Sequence, residues 1–206
     1  MTKIITVMNL KGGSGKTTTT AFLAHAYAAQ GESVLIVDAD EQGSVLHWSS
    51  VAGWEIPTIG KPVPKLHTLL GGIIGDRFDR VIIDTPPLDE KAGVVYGALR
   101  AADMVLVPMA PSIVEFERLP DVWNAIEEAQ SFRNDDIGSA VVLNRTIPNA
   151  SSTQVIGDLI RGDGHRVLTT TIPRREAIAQ AFGAPITAFF GHDQVAIELD
   201  KKEVLK

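Results

Sequence analysis

The chain has 206 residues, 45% of them apolar and 21% charged, and no cysteine. Such a composition describes a globular protein with a sizeable core; it excludes disulfides, thiolate metal sites and cysteine-ligated iron–sulfur clusters, and it fits a reducing cytoplasm. A formal net charge of −6 excludes a generally basic nucleic-acid-binding protein but not a local basic patch, and no apolar run reaches the roughly 18 residues of a membrane span.

Residues 3–8 read as a short, buried, β-branched strand, which leaves no room for a signal peptide ahead of it. The loop Lys11-Gly12-Gly13-Ser14-Gly15-Lys16-Thr17 follows. A helix is predicted from there to about Gln30, stopped by Gly31. Residues 33–37 form a second strand ending in Asp38-Ala39-Asp40-Glu41-Gln42-Gly43. Pro57, Pro62 and Pro64 make 54–66 an irregular connection, and 66–75 suits a short helix. A third strand, 80–83, runs into Asp84-Thr85-Pro86-Pro87.

A helix over 92–102 leads to a fourth strand, 104–107, ended by Pro108 and Pro111. A long amphipathic stretch covers 114–132, and a fifth strand, 139–143, closes on Asn144-Arg145. Residues 151–162 suit a helix capped by Ser151 or Ser152. A short strand at 166–171 and helices at 174–182 and 192–205 complete the chain. Strands alternate with helices, so the fold class is α/β: a mainly parallel, doubly wound sheet with helices on both faces, in one domain spanning 1–206.

Three of these strands end in chemically pointed sequence, at the edge where open parallel sheets bind ligands. The glycines let successive backbone N–H groups face one anion, and the helix start adds its partial positive charge. Gly12, Gly13, Ser14, Gly15, Lys16, Thr17 and Thr18 are thus candidates for holding nucleotide phosphates. Lys16 supplies a full charge, and the Thr17 hydroxyl can ligate Mg2+. Asp84 fits the carboxylate of such a metal site. If the strand continued, Asp38 and Asp40 would lie on opposite pleats. One could then approach the metal while the other orients an attacking water, and the residues alone do not say which.

The general P-loop pattern asks for glycine where this chain has Leu10, and Lys11 stands next to it. Lys-Gly-Gly-x-Gly-Lys-Thr resembles the deviant Walker A loop of the ParA/MinD family of ATPases. Asp38-Ala39-Asp40-Glu41-Gln42-Gly43 resembles that family's second block, with Glu41 where most members have proline. Asp84-Thr85-Pro86-Pro87, the block 107–112, Asn144-Arg145 and the segment from Ile172-Pro173-Arg174 to Ile186 resemble further blocks in the right order. The resemblance implies ATP and Mg2+ as cofactors, Thr17, Asp38 and Asp84 at the metal, and Lys11, Lys16 and Asp40 in catalysis. It implies Asn144 and Pro173 around the base. It also implies an ATP-dependent sandwich homodimer in which Lys11 reaches the partner copy's nucleotide.

The most similar type is a short ParA-type partition ATPase of plasmids, chromosomes or protein cargo. The resemblance gives it non-specific DNA as a ligand, a ParB-like or other cargo-adaptor protein as the stimulating partner, and a cytoplasmic, nucleoid-associated location. Arg145, Arg161, Arg166, Arg174 and Arg175 are the candidate DNA contacts. A membrane-surface positioning ATPase like MinD is the alternative; it would need an amphipathic tail, for which 195–206 has some apolar spacing but carries Glu198, Asp200 and Glu203 and lacks aromatics, a weak anchor. A metabolic ligase on the same scaffold is the third reading. The five histidines lack zinc-ligand spacing, and Trp48, Trp54 and Trp123 read as packing residues.

Overall fold

A computed structural model describes residues 2–201. Its elements, in chain order, are β1 (Lys3–Val7), α1 (Lys16–Ala29), β2 (Val34–Asp38), α2 (Ser44–Ala52), β3 (Thr58–Gly60), α3 (Leu66–Ile74), β4 (Arg80–Asp84) and α4 (Leu88–Leu99). Then follow β5 (Met104–Met109), α5 (Ile113–Phe116), α6 (Leu119–Gln130), β6 (Gly138–Leu143), α7 (Ser151–Gly162), α8 (Glu176–Ala179) and α9 (His192–Leu199). The strands form one sheet in the order β3-β2-β4-β1-β5-β6, and every pairing is parallel.

The period of two along each strand divides the core between the faces. Ile5, Val7, Ile36, Ile82, Leu106 and Val142 pack under α1, α2 and α9. Val105, Val107, Val141 and Leu143 pack under α4 and α6, while Leu35, Val37, Val81 and Ile83 meet α3 and α4. Both faces are therefore covered, which is why the strands read as continuous apolar runs rather than alternating ones. At the amino edge, the buried Arg80 pairs with Glu32 and with Asp200 at 2.8 Å, and lies 4.5 Å from the Tyr27 ring centroid. That cluster fastens α9 to the base of β4.

Several local expectations give way to context. Residues 44–52 form α2, and the proline-flanked 58–60 adds β3 as an edge strand beside β2. Pro108 lies within β5 instead of ending it. Its carbonyl accepts from Asn9 Nδ2 at 2.8 Å, on the side where β1 has already ended, so the missing N–H breaks no ladder bond. The amphipathic stretch is two helices, because Pro120 is tolerated only in a first turn and starts α6 afresh. The cap of α7 is Ala150, not a serine. Residues 166–171 contribute a single bridge, Val141 to Val167, and 174–182 shrinks to α8. The last helix ends at Leu199, and the rest of the tail invoked for a membrane anchor, 202–206, lies outside the described residues.

At the junction of α4 with the 63–64 loop the two backbones approach closely. A Cβ on Gly97 would sit 2.4 Å from the Pro64 carbonyl oxygen, whereas one on Gly72 in α3 would meet nothing within 4 Å. Gly97→Ala is expected to destabilise by about 2 kcal/mol. Gly72→Ala is expected to stabilise by about 0.5 kcal/mol. Urea unfolding of the two variants checks both signs.

Candidate nucleotide-binding site

The register places Val7 of β1, Asp84 of β4 and Asp38 of β2 side by side at the carboxyl edge of the sheet. The loop leaves β1 through Asn9, which is buried and uses both ends of its amide. Its Nδ2 donates to the Pro108 carbonyl and its Oδ1 accepts from Leu10 N at 2.6 Å. Leu88 N and Asp89 N, at the start of α4, donate to the Asn9 and Leu10 carbonyls. Asn9 was not among the expected site residues; its signal is that it is the first polar side chain after an apolar strand.

The loop turns at Gly13 (φ 76°) and Gly15 (φ 96°), conformations that favour glycine. Helix α1 begins at Lys16 with no acidic residue in its first turn, so its N-terminal charge is left for a ligand. Lys16 is buried and its ammonium donates to the Lys11 carbonyl at 2.9 Å, inside its own loop. Burial pulls its pKa below the usual lysine range, against the pull of Asp84 and Asp40. The Lys11 side chain, by contrast, is exposed on the rim.

Thr17 Oγ1 donates to Asp84 Oδ2 at 2.7 Å, and Thr20 Oγ1 lies 3.4 Å from Asp84 Oδ1. Asp84 is 1% exposed. Burial pushes its pKa up to about 7; Asp38 and Asp40 add to the rise, while the Thr17 hydrogen bond and Lys16 oppose it.

Strand β2 ends at Asp38, so the alternation expected for Asp38 and Asp40 does not apply. The Asp38 carboxylate is fully buried and accepts from Asp40 N and Leu46 N, each at 3.0 Å. It therefore closes the turn into α2. Asp40 is half-buried, and its Oδ1 accepts from Gln42 N at 3.0 Å.

Beside the loop lies a cleft of about 720 Å3, within the size range of small-molecule sites. Thr18, Pro111, Asn144, Ile172, Pro173 and Ile178 are among its lining. Asn144 and Pro173 thus line one cleft, and Ile178, which is not among the expected site residues, lines it with them. Asn144 Nδ2 donates to the Ser14 carbonyl at 2.7 Å, and a Cβ on Gly15 would collide with that nitrogen at 2.7 Å. Asn144 Oδ1 and Ser14 Oγ are buried without a partner, the mark of a site shaped for a polar ligand. His192 also lines the cleft; it stacks on Phe22 with centroids 4.8 Å apart, and burial pushes its pKa down to about 4.

The five arginines are not gathered into one patch. Arg145 donates to the Gly13 carbonyl at 2.6 Å, on the phosphate loop itself. With Arg174 and Arg175 it also lines the nucleotide-sized cleft. Arg161, paired with Asp158 at 3.0 Å, and Arg166 line a separate hollow with His165 and Glu198.

Among the described residues no three histidine or acidic side chains are grouped to hold a metal ion. The donors present are one hydroxyl and one buried carboxylate in contact, Thr17 and Asp84, with the Asp38 carboxylate on the neighbouring strand. That set fits a hard cation completed by phosphate oxygens and water, not a cage built from protein alone.

Fold and site together define a P-loop nucleotide-binding protein. Residues 5–186 match the family model described as the CobQ/CobB/MinD/ParA nucleotide binding domain. The chain belongs to this family, that of the ParA/MinD-type ATPases. Among its relatives, the maintenance of carboxysome distribution protein A of Halothiobacillus neapolitanus is 30% identical over 193 residues, spanning 90% of this chain and 86% of that protein. The sporulation initiation inhibitor protein Soj of Bacillus subtilis is 27% identical and covered to 92% in both directions. A crystal structure of the cobyrinic acid a,c-diamide synthase of Mycobacterium smegmatis, with a bound ATP analogue and magnesium, superposes with a TM-score of 0.78 at 22% identity, covering 97% of this chain and 94% of that one.

The raised pKa of Asp84 has a stability consequence. Between the ordinary carboxylate range and about pH 7 the native state holds a proton that the unfolded state has released. Stability from this group therefore falls as pH rises through that window. His192, with its lowered pKa, acts in the opposite sense between about 4 and its ordinary value. Comparing Asp84→Asn with wild type at each pH isolates Asp84. The advantage of the amide in urea unfolding is expected to be larger at pH 8 than at pH 5.

Proposed function

We propose that the chain is a ParA-type positioning ATPase, acting as one domain, whose Mg·ATP-bound form is a homodimer that binds DNA without sequence preference. The observation that carries this reading is the division of labour between two lysines of one loop. Lys16 is buried and points into the loop, while Lys11 is exposed on its rim. A single inward lysine serves the phosphates of its own site. The outer one is free to reach the nucleotide of a facing copy, where a cation supplied in trans stabilises charge that develops on the transferring phosphoryl group.

On this reading the loop N–H groups and Lys16 bind the phosphates. The Thr17 hydroxyl and the Asp84 carboxylate, with Asp38 behind them, hold Mg2+, which neutralises phosphate charge when bound. Asp40 is the carboxylate left to orient water. Asp38 is committed to the backbone of the turn that carries Asp40, so it positions that residue as well. Asn144 and Pro173 receive the base. Arg161, Arg166, Arg174 and Arg175 remain for DNA phosphates, and a dimer would double their number and steepen the salt dependence.

The cargo class is supported by the relatives: one is named for carboxysome distribution and the other is Soj. A ParB-like or other cargo adaptor would stimulate hydrolysis and release the dimer from the nucleoid. Among the described residues no helix is long and apolar enough to cross a membrane.

Binding of an arbitrary duplex, measured with no nucleotide, with ADP and with ATP, tests the reading. ATP is expected to raise affinity at least about tenfold over ADP, and the gain should vanish in high salt. Equal binding in all three states would sink it. In light scattering, Asp40→Ala with saturating Mg·ATP is expected to run as a dimer while its hydrolysis falls about a hundredfold. A monomeric Asp40→Ala would refute the sandwich.

A further inference from the structure

Arg145 is the residue whose placement the family reading leaves unexplained. It has a φ of 52°, in the left-handed region that residues carrying a Cβ avoid and that glycine adopts freely. Its neighbours over-determine that conformation. Asn144 N donates to the Met109 carbonyl at 2.8 Å, Thr146 N to the Ile172 carbonyl at 3.1 Å, and Arg174 N to the Thr146 carbonyl at 2.9 Å. The turn is thus pinned on one side to β5 and on the other to the segment that walls the cleft. A strained residue held this firmly is a sign of use.

What the turn delivers is a pair of donors to the carbonyls of the phosphate loop, from the wall of the cleft beside it. Asn144 Nδ2 takes the Ser14 carbonyl and Arg145 Nη2 takes the Gly13 carbonyl. A loop that aims its N–H groups inward at an anion must aim its carbonyls outward. Those carbonyls need partners, and here two consecutive ones are met by two consecutive residues. The bond from Arg145 is charge-assisted and short, at 2.6 Å. It also polarises the peptide that the Gly13 carbonyl shares with the Ser14 N–H.

We propose that Arg145 is a positioning residue for nucleotide binding: it holds the phosphate loop in its anion-receiving shape by clamping the Gly13 carbonyl from outside, and so ties the loop to the base-side segment 172–174. It acts on the loop, not on DNA and not directly on the phosphates. The proposal rests on the reading of this site as a nucleotide site. The clamp acts before and during the reaction alike, so its loss raises KM and leaves kcat unchanged.

The test is ADP binding by calorimetry without DNA, at about 50 and about 500 mM salt, for wild type, Arg145→Gly and Arg145→Lys. Glycine accepts the left-handed backbone, so the first variant is expected to match wild type in thermal stability. It should nevertheless bind ADP about fivefold more weakly, by the same factor at both salt concentrations. Lysine keeps a charged donor and should stay within about twofold of wild type. Wild-type affinity in Arg145→Gly overturns the clamp, and so does a loss that disappears at high salt, which would mark a charge acting directly on phosphate. A wild-type protein that binds no nucleotide overturns the reading of the site itself, and the clamp with it.

Discussion

The contact between Thr17 and Asp84 is the constraint on which the rest of the site depends. It joins the first turn of α1 to the end of β4, and it lies where Asp84 is almost wholly buried. A carboxylate in that position is costly unless paired. Here it has a hydroxyl donor and a buried lysine nearby, yet its pKa still stands at about 7. The sheet therefore carries at its carboxyl edge a group whose ionised form is disfavoured, and a cation placed beside it would favour that form. The opposite edge is the reverse case: Arg80 is met by Glu32 and Asp200 and covered by Tyr27.

The phosphate loop is likewise held mostly by its surroundings. Its entry is fixed by Asn9 and by the start of α4. Its crown is fixed by Asn144 and Arg145 from the end of β6. One contact comes from inside, the Lys16 ammonium on the Lys11 carbonyl, and an arriving phosphate competes for that same ammonium. The loop can thus keep its backbone while Lys16 changes partners. Gly15 is required twice over, for its positive φ and for the room it leaves beside Asn144.

Much of this was legible in the sequence because apolar strands ending in sharp chemistry are hard to mistake. The β1 run, the lysine-flanked glycines and Asp84 after β4 announce themselves, and the parallel alternation follows from helices between strands. What was not legible depends on where the chain turns. Asp38 reads as a site carboxylate; that the chain bends directly after it, so that both its oxygens meet backbone N–H groups, is not written in the residues. The three residues of β3 are masked by flanking prolines and exist only because β2 offers an open edge. Arg145 reads as a surface cation. A left-handed backbone, invisible in a list of residues, is what turns it onto the loop.

Strand β4 carries Arg80 at one end and Asp84 at the other, four residues apart, with Val81 and Ile83 facing one layer of helices and Ile82 the other. Its length is therefore a fixed quantity. One residue more or fewer would swap the faces of every side chain beyond the change. It would also pull either the salt-bridged arginine or the site carboxylate out of place, because the two ends are pinned independently. Descendants of this chain can vary β4 by exchanging one apolar residue for another, whereas insertions and deletions within it are excluded. The spacing between these two charged residues is a ruler against which drift in the rest of the chain can be measured.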